Sequence, residues 1–177
     1  ELTELGRPIL DRLRDSTSCS CNLVVRDGRS VVYVARAVVQ TPYANTVHLG
    51  TRLPAHATLF GRVLLRDLPF EQLQQLYPEE QLQSATPKTP ATVAELYRLI
   101  QSDRANDYVF DQGYFESNIS TLAVPVFGQA GKVVAALGIT VSGAKHEPEI
   151  IQELARNACE AARDLSGLLD HVAASRH

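Results

Sequence analysis

No apolar run in this sequence approaches the ~20 residues that a membrane-crossing helix needs, and no stretch reads as a signal peptide, so no membrane contact is expected. Basic charge is not in excess either. Seventeen Lys and Arg against 20 Asp and Glu leave a net charge of −3, so a nucleic-acid surface is not expected on these residues. Cysteine is scarce. Cys19, Cys21 and Cys159 are odd in number and lack a framework spacing, which reads as free thiols in a reducing cytoplasm rather than disulfides. Cys19-x-Cys21 is too close for the usual zinc spacing and has no second pair, so no metal is expected. Neither a Gly-x-Ser-x-Gly elbow, an HExxH, a Walker loop nor a GxGxxG turn is present, and no cofactor is expected. There is no internal repeat and no low-complexity tract. The chain opens at Glu1 inside what reads as a helix, without an initiator methionine, as expected of a piece of a longer protein.

What is there is ordinary globular material: 177 residues, 45% hydrophobic and 21% charged. That suffices for one domain with its own core, or one domain with a helical extension. Leu2, Leu5, Ile9, Leu10 and Leu13 recur at helical spacing, with Pro8 either kinking that helix or marking its first turn, and Ser16-Thr17-Ser18 ending it. Asp27-Gly28 between the Val-rich runs Asn22–Arg26 and Ser30–Arg36 is a hairpin signal. Thr46–Leu49 is a short strand candidate. A helix is expected from Pro54 to Arg66, a second over Phe70–Tyr77, and a third from a Thr92/Glu95 capping box to about Asn106. Pro148 then opens a long helix whose stripe from Ile151 to Val172 packs across a sheet or against another chain. The order is helix, three strands, three helices, three strands, helix. Tight turns between consecutive strands make the sheet largely antiparallel, with helices on one end or one face, an α+β layout.

The stretch Asp107–Gly143 organises the rest. Two apolar runs, Ile119–Phe127 and Lys132–Ser142, flank Gly128-Gln129-Ala130-Gly131 and read as a hairpin. Side chains alternate faces along a strand. Leu137, Ile139 and Val141 therefore share a greasy face, while Gly138, Thr140 and Ser142 share the other with Thr121 and Ala123 of the facing strand. A small, uncharged, hydroxyl-bearing face makes a poor core and a poor solvent surface; it suits the floor of a cavity. If the first amides of the helix begun at Pro54 point over that floor, the cavity has a clamp for a carboxylate or phosphate. His56 on this helix reads first as a structural histidine bonded to backbone, with pocket lining as its alternative. Asp111 reads as a turn former before Gln112-Gly113, or as an acceptor facing the cavity.

His56-Ala57-Thr58 with Gly61-Arg62-Val63-Leu64-Leu65, preceded by Leu49-Gly50 and Pro54, resembles the signature helix of the effector domain of isocitrate lyase regulator (IclR) type transcription factors. Tyr108, Asp111, Glu116, Ala123–Phe127 and Gly131–Leu137 match that family's other signature, and Val32-Tyr33-Val34 after Asp27-Gly28 fits too. The resemblance covers nearly the whole chain. It implies a GAF-like α+β fold, a six-stranded largely antiparallel sheet flanked by helices. Residues 1–18 would be a linker helix from an N-terminal winged helix-turn-helix domain absent here, and 19–177 the effector-binding domain. It implies an effector site made of the backbone amides of Leu59 and Phe60, the Asp111 carboxylate and positions Thr121, Gly138 and Thr140, with His56 and Thr58 on the same segment. Cys often stands in the family where Thr121 is, and Ser where Gly138 is. Losing that Ser removes an anchor for a very small acid and makes room. The run Gly50–Pro54 with Gly61-Arg62-Val63 is similar to the branch regulating aromatic-acid (protocatechuate and β-ketoadipate) degradation.

The leading expectation is a cytoplasmic ligand-sensing domain, not an enzyme. A small organic acid places its carboxylate on the helix terminus and its hydroxyl donors on Asp111. DNA is bound through the missing domain and not through this one, in a homodimer or homotetramer. Two rivals remain. A hydrolase would need a Cys or Ser and an orienting group around His56. A purely structural oligomerisation module would have no cavity above Thr121 and Thr140.

Overall fold

The computed structural model describes residues 1–40, 47–142 and 146–176. Helix α1 (Leu2–Thr17) leads into β1 (Ser20–Asp27) and β2 (Ser30–Ala37), and a short β3 (Arg52–Pro54) follows. A 3-10 turn (Ala55–Ala57) precedes α2 (Leu59–Leu64), α3 (Phe70–Leu76) and α4 (Val93–Arg104). Then come β4 (Val109–Gln112), β5 (Ile119–Phe127), β6 (Val133–Ser142) and the long α5 (Pro148–Ala174). The six strands make one sheet in the order β3-β2-β1-β6-β5-β4, every pair antiparallel.

Local chemistry accounts for most element ends. α1 is helical from Leu2, so Pro8 does not delay its start. Ser18 closes it in the left-handed region at φ 56°, its N–H donating to Arg14 O at 2.7 Å. Gly28 takes φ 61° in the β1–β2 turn, where a side chain would be strained. Thr92 Oγ1 accepts from the Glu95 N–H at 3.2 Å, and Glu95 Oε2 reaches back to the Ala91 N–H at 2.8 Å.

Two expectations need correction. The strand expected over Thr46–Leu49 is not there: Thr46 lies outside the described residues, 47–49 are not extended in a ladder, and the third strand is Arg52–Pro54. The helix expected to begin at Pro54 is broken. Pro54 ends β3, Ala55–Ala57 form one 3-10 turn, and the α-helix begins only at Leu59 with Thr58 as its cap.

Helices cover both faces of the sheet rather than one. On one face α1 and α5 bury Leu10, Leu13, Ala158 and Leu165 against Leu23, Leu122, Leu137 and Ile139. On the other, α2, α3 and α4 bury Phe60, Val63, Leu73, Leu96 and Ile100 against Val24, Tyr33, Ala123 and Ala136. Each fully buried aliphatic side chain contributes about 1.5–3 kcal/mol of transfer free energy. α2 is tied to α4 by a buried two-bond ion pair, Arg62 Nη2 and Nε to Asp103 Oδ1 and Oδ2 at 2.6 and 2.9 Å.

Candidate functional site

β5 and β6 meet in a register that pairs Thr121 with Thr140, Ala123 with Gly138 and Leu122 with Ile139. Alternation then sends Leu122, Val124, Leu137 and Ile139 into the α1/α5 core, and leaves Thr121, Thr140 and Ser142 on the face toward α2. β1 adds Asn22 beside them, since it pairs with Gly138 two residues along from Ser20–Thr140.

α2 lies across this face. Thr58 Oγ1 accepts from the Gly61 N–H at 3.1 Å and donates to Pro54 O at 3.2 Å. The amides of Leu59 and Phe60, first in the helix, have no intrahelical partner. Gly61 is required by a close approach: a Cβ there would sit 1.7 Å from Ala55 O, inside the backbone of the preceding turn.

β2 brings an element that strand alternation conceals. Leu23 pairs with Ala35 but Val24 pairs with Tyr33, so Val34 is an extra residue, a bulge. Val31 and Tyr33 pack on the α2 side, whereas Ala35 and Ala37 pack on the α1/α5 side. The bulge thus turns Arg36 onto the same face as Tyr33. Arg36 Nε donates to Asn22 Oδ1 at 2.8 Å, and Asn22 Nδ2 donates to Thr140 Oγ1 at 3.1 Å. Arg36 Nη1 donates to Val47 O. Its Nη2 is buried without a protein partner, and no carboxylate among the described residues pairs with the guanidinium.

These parts line a solvent-open cavity of about 310 Å³, at the small end of the ~300–1,000 Å³ range of small-molecule pockets. Thr121, Thr140 and Asn22 form its floor, Thr58, Leu59 and Phe60 its roof. Tyr33, Tyr114, Phe115 and Leu53 supply apolar and aromatic wall. Burial pushes the Tyr33 and Tyr114 hydroxyls up to about 12, so both are protonated donors at neutral pH. Burial also lowers the Arg36 pKa, partly offset by Tyr33, although a guanidinium stays charged. Glu116 is the acidic side chain on the wall, and it is exposed. Water screens its charge more than that of the half-buried Arg36, so the cavity favours anions.

Thr58, Leu59, Phe60, Thr121 and Thr140, expected as site residues, all line this cavity. Gly138, Asp111 and His56 do not. The Phe60 ring already fills the space over Gly138: a Cβ there would meet that ring and Leu122 O at 2.5 Å each. Asp111 stands opposite Thr121 on β4, but Oδ1 takes the Lys88 ammonium at 2.8 Å and the Gln112 N–H at 2.8 Å. His56 faces away, with Nε2 2.7 Å from Gln83 O and its ring edge-on to Tyr77. Ser142, which shares the small face of the hairpin with Thr140, is on the wall. Reasoning from sequence missed Arg36, Asn22 and Tyr33. A polar Asn inside a Val-rich strand was a usable signal; the bulge at Val34 was not readable.

A six-stranded antiparallel sheet with helices on both faces, lining a small, hydroxyl-floored, cationic cavity, defines a small-ligand-binding domain. The chain belongs to the family described as "Bacterial transcriptional regulator IclR C-terminal", whose pattern matches residues 1–167. It is 32% identical over 174 residues to the Pca operon regulatory protein of Acinetobacter baylyi, covering 96% of this chain and 63% of that protein. It is 30% identical over 175 residues to the p-hydroxybenzoate hydroxylase transcriptional activator of the same organism, covering 93% and 64%. Among solved structures, it superposes with TM-score 0.83 and 30% identity on a double mutant of the Acinetobacter PobR inducer-binding domain in complex with 3-hydroxybenzoic acid, covering 95% of this chain and 99% of that one. The chain spans less than two thirds of the length of the curated relatives it matches. These relatives are named transcriptional regulators. Among the described residues no helix is long and apolar enough to cross a membrane.

Proposed function

We propose that this domain senses a small aromatic monocarboxylate in the cavity between α2 and the Thr121–Thr140 floor, and that the ligand controls DNA binding by a helix-turn-helix domain elsewhere in the full-length regulator. The observation that carries this reading is the cavity itself: about 310 Å³, walled by aromatic rings and holding a half-buried cation that pairs with no carboxylate among the described residues. A bland core would have filled that space, and an oligomerisation module has no use for it. The relatives add weight, since one solved domain holds a hydroxybenzoic acid. The amides of Leu59 and Phe60 and the hydroxyls of Thr121 and Thr140 are its polar contacts in this reading, with Thr58 fixing the roof. The hydrolase reading gains nothing from His56, whose Nε2 meets the Gln83 carbonyl. α1 serves as the link toward the DNA-binding part, in a cytoplasmic homodimer or homotetramer. Binding acts by favouring one of two arrangements of these parts.

A melting-temperature panel of aromatic monocarboxylates against short 2-oxo acids tests it. At ligand a hundred times Kd, linkage gives about 2.7 kcal/mol, which for a domain of this size is a rise of about 5–10 °C. Aromatic acids are expected to give that rise and short oxo acids less. A flat panel contradicts the reading.

A further inference from the structure

Arg36 is the feature of the cavity that folding alone does not explain. Its Nε and Nη1 are used inside the protein, on Asn22 Oδ1 and Val47 O. Its Nη2 is buried and unpartnered, a costly state for a charged donor. On the same face, directly before the extra residue Val34, Tyr33 also lines the cavity. Asn22 locks the guanidinium in place from one side and Thr140 locks Asn22 from the other, so Arg36 is held rather than free to swing out. A guanidinium held in this way offers its charge rather than its two-pronged fork, and that charge favours a carboxylate over a neutral group. The roof is a weaker anion site, because α2 has only six residues and Thr58 Oγ1 already serves the Gly61 amide.

Resting on the reading that the cavity takes an aromatic acid, we propose that the ligand's carboxylate sits against the Arg36 guanidinium and the Tyr33 side chain, at the β1–β2 end of the cavity, and not on the α2 terminus. The ring then lies between Phe60 and the Thr121–Thr140 floor. Phe60 is braced for this by its edge-on contact with Tyr33, centroids 5.8 Å apart. Asp111 takes no part, being paired with Lys88. The bulge at Val34 becomes the device that specifies an acid, because without it Arg36 would face the α1/α5 core.

Titration calorimetry of the domain with p-hydroxybenzoate and with the neutral p-hydroxybenzamide separates the claims. Wild type is expected to bind the acid at least about tenfold more tightly than the amide, the worth of a hydrogen bond to a charged group. Arg36→Gln is expected to lose about 10- to 100-fold for the acid and to leave the amide within about threefold; amide binding also reports that the variant is folded. Tyr33→Phe is expected to weaken the acid selectively, and decides the matter if Arg36→Gln does not fold. Equal affinity of wild type for acid and amide overturns the proposal. So does an Arg36→Gln or Tyr33→Phe domain that binds the acid as wild type does; the site reading then stands and only the anchor falls. No binding of p-hydroxybenzoate or protocatechuate to wild type overturns the site reading itself.

Discussion

Asn22 and Arg36 stand 2.8 Å apart, amide oxygen to Nε, and Asn22 passes the contact on to Thr140 at 3.1 Å. A fully buried asparagine on β1 thereby joins the cation on β2 to the floor of the cavity on β6. The three residues belong to three adjacent strands, so the sheet itself fixes their geometry.

Asn22→Ala removes both of these bonds and leaves a charged donor and a hydroxyl to find new partners. A loss of about 1–3 kcal/mol in unfolding free energy is expected, read by denaturant titration with the m-value unchanged. A variant as stable as wild type would mean that Arg36 finds water instead, and that its position is not held.

Gly138→Ser introduces a hydroxymethyl group on the small face of the hairpin. The space is not available here, since a Cβ meets both Leu122 O and the Phe60 ring at 2.5 Å. The backbone oxygen cannot yield, so Phe60 must, and it moves into the cavity. A cost of about 1–3 kcal/mol is expected, together with weaker binding of any aromatic ligand. Unchanged stability and affinity would show that Phe60 has room to give.

The fold was largely legible from the sequence, and the reasons are particular. Strict alternation over 119–127 and 133–142 gave both faces of the central hairpin, because a buried face on each side punishes any register slip. Asp27-Gly28 gave the first hairpin, because glycine alone takes φ 61° cheaply. The floor of the cavity came with the hairpin. Its roof was half legible: Thr58, Leu59 and Phe60 were named, but the helix was drawn from Pro54, since a 3-10 turn and an α-helix share one apolar spacing. The break falls at Thr58, a good cap. Arg36 was hidden because a bulge adds one residue and reverses the face of everything after it. The pairing of Asp111 was not readable, because its partner Lys88 is 23 residues away on a loop with no periodic signal.

Asp103→Asn tests the α2–α4 tie. Arg62 and Asp103 are both about 9% exposed. Removing one charge strands the other beneath the Tyr114 ring, whose face is 5.1 Å from the guanidinium. A loss of about 3–5 kcal/mol is expected, seen as a large drop in melting temperature. Because Tyr114 lines the cavity, ligand affinity should fall as well.

Alkali should unfold the domain in a defined window. Burial holds Tyr33 and Tyr114 at about 12, above the usual phenol value near 10. The folded chain therefore keeps protons that the unfolded chain has lost. Stability is full below about pH 10 and falls as pH rises toward about pH 12. The phenolate absorbance of Tyr33 and Tyr114, read as the difference from the Tyr33→Phe and Tyr114→Phe domains, rising together with loss of helix signal would bear this out; phenolate from either of these two near pH 10 in a folded domain would contradict it.

The most direct measurement is a crystal structure of the domain grown with p-hydroxybenzoate. The expected result is ligand density between Phe60 and the Thr121–Thr140 pair, with the carboxylate within hydrogen-bond distance of Arg36 and Tyr33. Ligand outside this cavity, or a carboxylate turned to the Leu59 and Phe60 amides with Arg36 untouched, would contradict the account.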